Sequence, residues 1–304
     1  MSNEFPEDSL QNYLEASRDS YKACLDKITS SLLIDGHQVT LDFQHVRFDA
    51  NGEPKFDDLA KCLADHVIEY CFSMRRRGTP TSPNEFSRLN REARGLLRKF
   101  GTSGEAGEML LYFLLETVYS APQIVAKMDL KTNPRMELHG SDGIHMKWNR
   151  QDELLDIFFG ESKLETKVSS AISNAFSSLK EFHDNGLRDH EFGLVTSHFK
   201  LLDDVTRDIV FRFLDRRVPG GDCRINHACL IGYDWSKYKQ LFDHRRNDFI
   251  INFKNTYIRH SPSLAKLLKK KLDQYGRPQL RLLIFFLPFQ SVQEFRNAFN
   301  KAVG

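Results

Sequence analysis

The sequence lacks the features that mark membrane, secreted or disulfide-bonded proteins. Its five cysteines are odd in number and include no Cys-x-x-Cys pair, so we expect neither a disulfide framework nor a structural zinc site. The longest apolar stretch, residues 280–289, is interrupted by Arg281 and Pro288 and is far too short to span a bilayer. The first residues are acidic and polar, unlike a secretory signal or a transit peptide. We therefore expect a cytoplasmic protein that has no membrane partner.

Repeats, low-complexity tracts, glycine–serine linkers and a charge bias are also missing. The chain has 43 lysine and arginine residues against 41 aspartate and glutamate residues, and its pI is about 8.2. A protein that coats nucleic acid usually has a domain pI above about 9, but an enzyme with only a local basic groove is not excluded. The 304 residues, 40% hydrophobic and 28% charged, can fold as one large or two modest domains.

Hydrophobic periodicity predicts alternating helices and strands, which are typical of an α/β layered fold. The expected helices cover residues 8–27, 56–74, 84–100, 102–118, 166–182, 201–215, 236–253 and 263–275, with one more at the end of the chain. The expected strands cover residues 37–48, 143–148, 153–164, 191–198, 226–233 and 280–289, with short extended pieces at 125–130 and 135–139. We interpret residues 1–100 as an extension packed on a core domain of residues 101–304.

The apolar helix at 102–118 carries two acidic residues near its start. Residues 102–105, Thr-Ser-Gly-Glu, have the form of a capping box, which accounts for Glu105. Glu108 shares a helix face with Leu111, Tyr112 and Leu115, so it is expected on the side that faces the core. A carboxylate placed there must be paired, hydrogen-bonded or close to a cation, because burying it alone costs several kcal/mol.

A predicted hairpin gathers further charged residues at one end. Its strands, 143–148 and 153–164, are joined by a polar four-residue turn. Glu161 and Lys163 lie at positions i and i+2 of the second strand, so both point to one face, about 7 Å apart along the chain. Asp142 immediately precedes the first strand, and pairing across the turn places it opposite residues 159–161. Folding is therefore expected to bring Asp142 and Glu161 together.

Two carboxylates and one ammonium group suit the hydrolysis of a phosphodiester. Mg²⁺, or Mn²⁺ in its place, binds through one or two carboxylates together with water and substrate phosphate. Asp142 and Glu161 are the candidate ligands, and Glu108 could complete the shell directly or through water. Lys163 would orient the attacking water and stabilise developing negative charge. The alternative is an exposed strand face on which Glu161 and Lys163 form only a weak, solvated ion pair.

The order of Glu108, Asp142 and Glu161-Ser162-Lys163 resembles the PD-(D/E)xK nuclease core, over residues 102–198. The predicted elements follow the same order, namely helix, three strands, helix and strand. This resemblance implies an α/β restriction-endonuclease-like core, a mixed sheet flanked by helices, with an N-terminal extension before the nuclease domain. The sequence departs from the motif in one respect, because no proline precedes Asp142.

The local sequence around these residues is more specific. Lys127-Met128, residues 140–145 (Gly-Ser-Asp-Gly-Ile-His) and residues 160–163 (Gly-Glu-Ser-Lys) resemble the effector subunit of the Hachiman anti-phage defence system, the HamA family. The length and layout of most of the chain agree with this family, although motifs match only in the middle third. The resemblance implies an Mg²⁺-dependent DNase that works with a helicase partner, which restrains it until foreign or damaged DNA is sensed.

Two other functions fit the same residues. In the first, the nuclease-like core is catalytically inactive and serves as a docking module for the helicase. In the second, the site cuts RNA or hydrolyses nucleotides, since none of these residues reads a 2′-hydroxyl group or a base. The sequence contains no P-loop motif, so ATP hydrolysis through that motif is not expected.

Other polar residues have structural interpretations. His145 lies on the opposite strand face from Asp142 and is expected to be a hydrogen-bonded structural histidine. Asp156 points away from Glu161 and is interpreted as a strand-edge or partner contact. The close set Cys223, His227 and Cys229 matches no common zinc finger, so reduced, partly packed thiols are expected there. A lysine-rich helix face, expected to be solvated with contact to the DNA backbone as the alternative, comprises Lys266, Lys269, Lys270 and Lys271. Small polar residues on the helix after Lys163, near enough for a phosphate contact, are Ser169, Ser173 and Ser177.

Overall fold

A mixed β-sheet organises the protein, whose computed structural model describes residues 10–28, 32–100, 104–125, 141–184, 210, 223–241 and 246–304. The strands in these ranges are β1 (Leu25–Ile28), β2 (Gln38–Val46), β3 (Gln123–Val125), β4 (Ile144–Asn149), β5 (Leu154–Glu165), β6 (Cys223–Asp234) and β7 (Arg281–Phe289). The helices are α1 (Arg18–Cys24), α2 (Phe56–Asp65), α3 (Val67–Cys71), α4 (Met74–Arg77), α5 (Pro83–Phe100), α6 (Glu105–Tyr119), α7 (Val168–Asp184), α8 (Arg246–Tyr275) and α9 (Val292–Val303). Short 3-10 turns cover Gln11–Tyr13 and Tyr238–Leu241. The predicted α/β class is confirmed.

The seven described strands form one sheet in the order β1-β2-β7-β6-β5-β4-β3. The four central strands, β2, β7, β6 and β5, are mutually parallel, and antiparallel strands close both edges. Strands β5, β6 and β7 read as nearly continuous apolar runs because each is buried on both faces, as a parallel strand between helices must be. Adjacent side chains of one strand therefore point to opposite faces of the sheet and pack into different hydrophobic cores.

Helices cover the sheet on both faces. The first core lies between the sheet and α2, α3, α6 and α9, and the second lies between the sheet and helices α7 and α8. Phe285 and Phe286 of β7 illustrate the arrangement, because Phe285 packs into the first core and Phe286 into the second. Helices α6 and α7 both contact β5 from these opposite sides, so this strand lies in the middle of the layered structure.

The first hundred residues contribute to the sheet itself. We predicted them as an extension packed on the core, but β2 lies within the sheet and pairs in parallel with β7 along residues 38–43 and 281–286. The extension is therefore built into the same sheet as the predicted core, and the position of a domain boundary stays a prediction. The first five elements of the predicted order are observed as α6, β3, β4, β5 and α7, whereas the last strand, predicted at 191–198, lies outside the described residues.

Several predicted boundaries are wrong for identifiable reasons. The helix expected at 8–27 begins at Arg18, after Ser17 accepts a capping hydrogen bond from the Ser20 N–H, and it ends where β1 pairs with β2. The helix expected at 56–74 is interrupted at His66, whose backbone (φ −101, ψ 14) leaves the helical region. Helix α6 is preceded by Gly104, with no side-chain cap, so the predicted capping box is wrong.

The last long helix differs from its prediction because tertiary packing outweighs a local breaker. Two helices were expected around Pro262, yet α8 continues through it. Apolar side chains before and after the proline pack into the same second core, namely Phe253, Tyr257, Leu264 and Leu268. The predicted elements at 126–130, 135–139, 191–198 and 201–215 lie outside the described residues, apart from position 210. Among the helices in the described ranges, none has both the length and the apolar character that crossing a lipid bilayer requires.

Close packing between β6 and its neighbours generates a stability prediction. A Cβ atom at Gly232 would lie 2.3 Å from Leu164 Cδ2 and 2.9 Å from Phe289 Cε2. Gly232→Ala is therefore expected to lower the free energy of unfolding by about 1–3 kcal/mol, because both buried neighbours must move. Gly95→Ala is the matched control, since nothing lies within 4 Å of that position in α5, and it should raise the value by about 0.5–1 kcal/mol. Denaturant titration of both variants measures the difference; equal effects would contradict the packing argument.

Candidate active site

Strand β5 carries two opposite charges near its carboxyl end. Glu161 and Lys163 point to the same face, as predicted, and Lys163 Nζ lies 2.5 Å from Glu161 Oε1. The strand is paired on both sides, and α7 covers this face of the sheet, so Glu161 is only 8% exposed and Lys163 is half-buried. An exposed, solvated strand face is therefore the wrong interpretation of this pair.

The β4–β5 hairpin fixes Asp142 beside this pair. Ile144 pairs with Phe159, and one step further the Asp142 N–H donates to the Gly160 carbonyl at 2.7 Å. One carboxylate oxygen of Asp142 accepts from the Ser162 N–H at 2.6 Å and from the Ser162 hydroxyl at 2.7 Å. The predicted hairpin and the predicted approach of Asp142 to the Glu161 end of the strand are confirmed.

Burial and neighbouring charges shift the pKa values of Glu161 and Lys163. Burial, and then the negative charge of Asp142, raise the pKa of Glu161 to about 7, although the ion pair with Lys163 opposes this shift. Burial alone would lower the pKa of Lys163, but the charges of Glu161 and Asp142 outweigh it and hold this pKa above its usual value. The site therefore keeps a charged ammonium group next to two carboxylates that repel each other. An added cation would relieve that repulsion.

Glu108 is held by a different partner. Its Oε2 atom accepts a hydrogen bond of 3.0 Å from the Tyr70 hydroxyl. The turn of α6 that carries Glu108 lies against Ser162, because a Cβ atom at Gly107 would be 3.1 Å from the Ser162 hydroxyl oxygen. Ser162 alternates with Glu161 along β5, so α6 approaches the strand from the face opposite Glu161. Burial and the charges of Glu108 and Asp142 together raise the pKa of Tyr70.

The three carboxylates considered as metal ligands, those of Glu108, Asp142 and Glu161, do not come together as one group. Within the described ranges, no three His, Cys, Asp or Glu side chains form a group that could hold a metal ion by themselves. Asp142 and Glu161 are brought together, whereas Glu108 is bonded to Tyr70. A role for Glu108 in metal binding, directly or through water, stays a prediction.

Sequence reasoning missed the residues that position the site. Ser178 of α7 hydrogen-bonds Glu161 and thereby lowers its pKa slightly, whereas Ser177, which we had singled out, is exposed and bonds the Ser173 carbonyl. Ser178 lies three residues after Ala175 on the inward-facing side of α7, and this periodicity was the signal that could have identified it.

Two other expectations have clear outcomes. His145 is buried, and its Nδ1 atom donates to the Ala121 carbonyl at 2.8 Å, which confirms a structural histidine. Asp156 is buried rather than a strand-edge contact, because Arg224 of the adjacent strand β6 bonds both of its carboxylate oxygens. The prediction of a strand-edge contact at Asp156 is therefore wrong.

The lysine-rich face of α8 forms part of the protein surface. Its apolar stripe is buried, as predicted, while Lys266 and Lys270 are exposed and Lys269 forms an ion pair of 3.0 Å with Asp273. Contact of this face with DNA stays a prediction.

Cys223, His227 and Cys229 lie on one face of β6 without forming a metal site in the described part of the chain. The three buried cysteines, Cys24, Cys71 and Cys229, are free thiols. The Nε2 atom of His227 lies 3.1 Å from the Nε2 atom of His183 at the end of α7. His227 is thus a core residue that bonds to a second histidine.

Comparison with known protein families gives a match. A family model described as HamA matches residues 19–303, which is nearly the whole chain. No curated protein matches the sequence.

The buried His227 makes stability depend on pH. Burial, and then His183, lower the pKa of His227 from 6.5 to about 3. Between these two values the unfolded chain binds a proton that the folded protein excludes, so stability is expected to fall as the pH falls, by up to about 1.4 kcal/mol per pH unit below 6.5. Denaturant titrations from pH 8 to 5 should show this slope in the natural protein and a shallower slope in His227→Phe. Comparison at pH 8, where the histidine is neutral in both states, isolates the change in packing. Identical slopes would contradict the assignment.

Proposed function

We propose that this chain, which belongs to the HamA family of Hachiman anti-phage defence components, is a nuclease effector that cuts DNA by metal-dependent hydrolysis. One observation carries the proposal. Glu161 and Lys163 form a close ion pair beside Asp142, at the end of a strand that is otherwise buried. Charged groups placed at such a position are costly for folding, and a functional site is the usual reason for retaining them.

The arrangement of elements around the site supports this proposal. Helix α6, the antiparallel strands β3, β4 and β5 and helix α7 follow in the order that the PD-(D/E)xK resemblance implies, and strand β6 pairs in parallel with β5. In this arrangement the Asp142 position lies before the middle strand of the meander, and the Glu-x-Lys pair lies on the third strand. Both positions match the motif residues that the sequence indicates.

The donor atoms fit a divalent cation such as Mg²⁺ or Mn²⁺. Asp142 and Glu161 would hold it, because both offer hard carboxylate oxygens and their mutual repulsion favours an added positive charge. When bound, such an ion lowers the pKa of a coordinated water and neutralises charge on the scissile phosphate.

The remaining tasks belong to the side chains of this protein. Lys163 has three N–H donors, of which Glu161 engages one, so the others can reach a phosphate oxygen or the attacking water. Ser162 prevents the Asp142 carboxylate from rotating, since two hydrogen bonds hold a single oxygen. Helix α7 covers the face that carries Glu161 and Lys163, which limits water access and strengthens their electrostatic effect on a bound phosphate.

The family belongs to a multi-subunit defence system, so we propose that a helicase subunit restrains this nuclease and releases it when foreign or damaged DNA is sensed. Family membership supports the proposed helicase partner. The three charged groups of the candidate site are placed by residues of this chain alone, so the subunit does not need the partner to assemble the site. Cleavage must therefore be tested with the free subunit as well as with the complex.

Lys163→Ala should reduce cleavage of plasmid DNA at least about a hundredfold, because it removes a donor aimed at developing negative charge. The measurement is plasmid cleavage in Mg²⁺ or Mn²⁺ by the free subunit. Lys167→Ala is the matched control, since this lysine is exposed four residues further along the chain. Thermal unfolding of both variants shows whether folding is retained. Undiminished cutting by a folded Lys163→Ala protein would refute the assignment.

The same experiment separates the other functions. A catalytically inactive docking module gives no cleavage with any metal and full defence activity with Lys163→Ala. An enzyme acting on RNA or nucleotides cuts those substrates in preference to DNA, so single-stranded RNA and nucleoside triphosphates belong in the substrate panel.

A further inference from the structure

A cleft of about 560 Å³ with a mixed polar and apolar lining opens at the other end of the sheet from the candidate active site. It is lined by the first residues of the parallel strands, including Arg224 of β6 and Arg281 of β7, together with Lys147 and Asn149 of β4. Glu161 lies five residues beyond Asp156, another lining residue, on the same strand, which corresponds to roughly 16 Å. The cleft is therefore separate from the Asp142–Glu161–Lys163 site.

The acidic residue of this cleft is already neutralised. Arg224 donates from Nε and Nη2 to the two carboxylate oxygens of Asp156, at 2.6 and 2.7 Å. Asn226 adds a hydrogen bond of 2.8 Å to the same carboxylate, and a third nitrogen of Arg224 bonds Asp152. Arg224 and Asp156 therefore form a closed pair, although the Asp156 carboxylate also acts at longer range on the charge of Lys147.

Two further cations of the cleft form no ion pair within the part of the chain that the structure describes. Lys147 lies directly opposite Asp156 in the β4–β5 pairing, yet it makes no ion pair with any residue in the described ranges, because Asp156 is engaged by Arg224. Arg281 lies between Gln38 and Asn226 in the sheet and likewise has no acidic partner among the described residues. Lys147 is half-buried, and this burial lowers its pKa. The cleft is thus lined by three cations, Lys147, Arg224 and Arg281, against the single carboxylate of Asp156, and this excess of positive charge favours an anionic ligand.

The other lining residues indicate what kind of anion fits. A volume of about 560 Å³ is within the range of small-molecule sites, which is roughly 300–1,000 Å³. Arginine and lysine together favour phosphate, since the guanidinium group can donate two parallel hydrogen bonds to its oxygens. Tyr119, Phe158 and Leu283 add aromatic and apolar surface beside the cations, and Gln38 adds a side-chain amide. Such a surface suits a flat heterocycle.

We propose that this cleft is a second ligand site, which binds a phosphate ester of mononucleotide size through Lys147 and Arg281. The phosphate could belong to a free nucleotide or to the phosphorylated end of a nucleic-acid strand, since both present the same group. The proposal does not depend on nuclease activity, because the cleft shares no residue with the candidate active site.

Isothermal titration of the full chain with AMP, with 5′-phosphorylated tetrathymidylate and with adenosine tests the proposal. AMP or the tetranucleotide should bind, and adenosine should bind at least about tenfold more weakly, because it lacks the phosphate. Lys147→Gln and Arg281→Gln should each weaken binding about tenfold or more. Lys180→Gln, which removes an exposed lysine of α7, is the matched control and should bind as the natural protein does.

Each outcome has a defined meaning. Binding of AMP supports a free nucleotide as ligand, and binding of the tetranucleotide alone supports a strand end. Lys147→Arg, which keeps the charge, should retain binding even if Lys147→Gln fails to fold. Lys163→Ala should also retain binding, so failure of the nuclease proposal is distinguishable from failure of this one. The proposal is overturned if neither phosphorylated probe binds the natural protein, if adenosine binds equally well, or if folded Lys147→Gln and Arg281→Gln bind unchanged.

Discussion

The hydrogen bonds that fix Asp142 to strand β5 are the constraint on which the candidate active site depends. The backbone N–H of Asp142 and both donors of Ser162 tie the residue to one position on the neighbouring strand. Because side chains alternate along a strand, a slip of one residue in this hairpin would move Glu161 and Lys163 to the α6 side of the sheet. The register of β4 and β5, set by their apolar residues, therefore determines where the three charges meet.

This register also explains how the protein tolerates charge in a buried layer. Glu161 has Lys163 and Ser178 as partners, Asp142 has Ser162, and Glu108 has Tyr70, so each of the three carboxylates accepts at least one hydrogen bond. The carboxylate at the other end of β5 is stabilised in a similar way. Arg224 neutralises Asp156, and Asn226 donates a hydrogen bond to it. The two ends of one strand thus differ in charge, since one gathers carboxylates around a single lysine and the other lies in a cleft where cations outnumber carboxylates.

Local sequence patterns predicted the hairpin, the shared face of Glu161 and Lys163, and the structural role of His145. Each of these features depends on the alternation of side chains along a strand, or on the pairing of strands that are close in sequence. The spacing of apolar residues indicates both. The partners of Glu108 and Asp156 were not predictable, because Tyr70 and Arg224 lie 38 and 68 residues away in sequence. The position of β2 inside the sheet was missed for the same reason, since a strand pattern does not reveal its neighbours. Pro262 misled the helix assignment because burial on both sides of it outweighed its local effect.

The place of β7 in the sheet has a consequence for biosynthesis. Of the described strands it is the last to be made, yet it lies between β2 and β6 and joins the two halves of the sheet. While the ribosome is still translating residues before 281, strand β2 has no parallel neighbour to pair with, and the strand beside the Glu161 strand lacks its outer partner. The central layer of the sheet therefore cannot be completed before residues 281–289 have been translated. The topology itself delays the appearance of the folded protein.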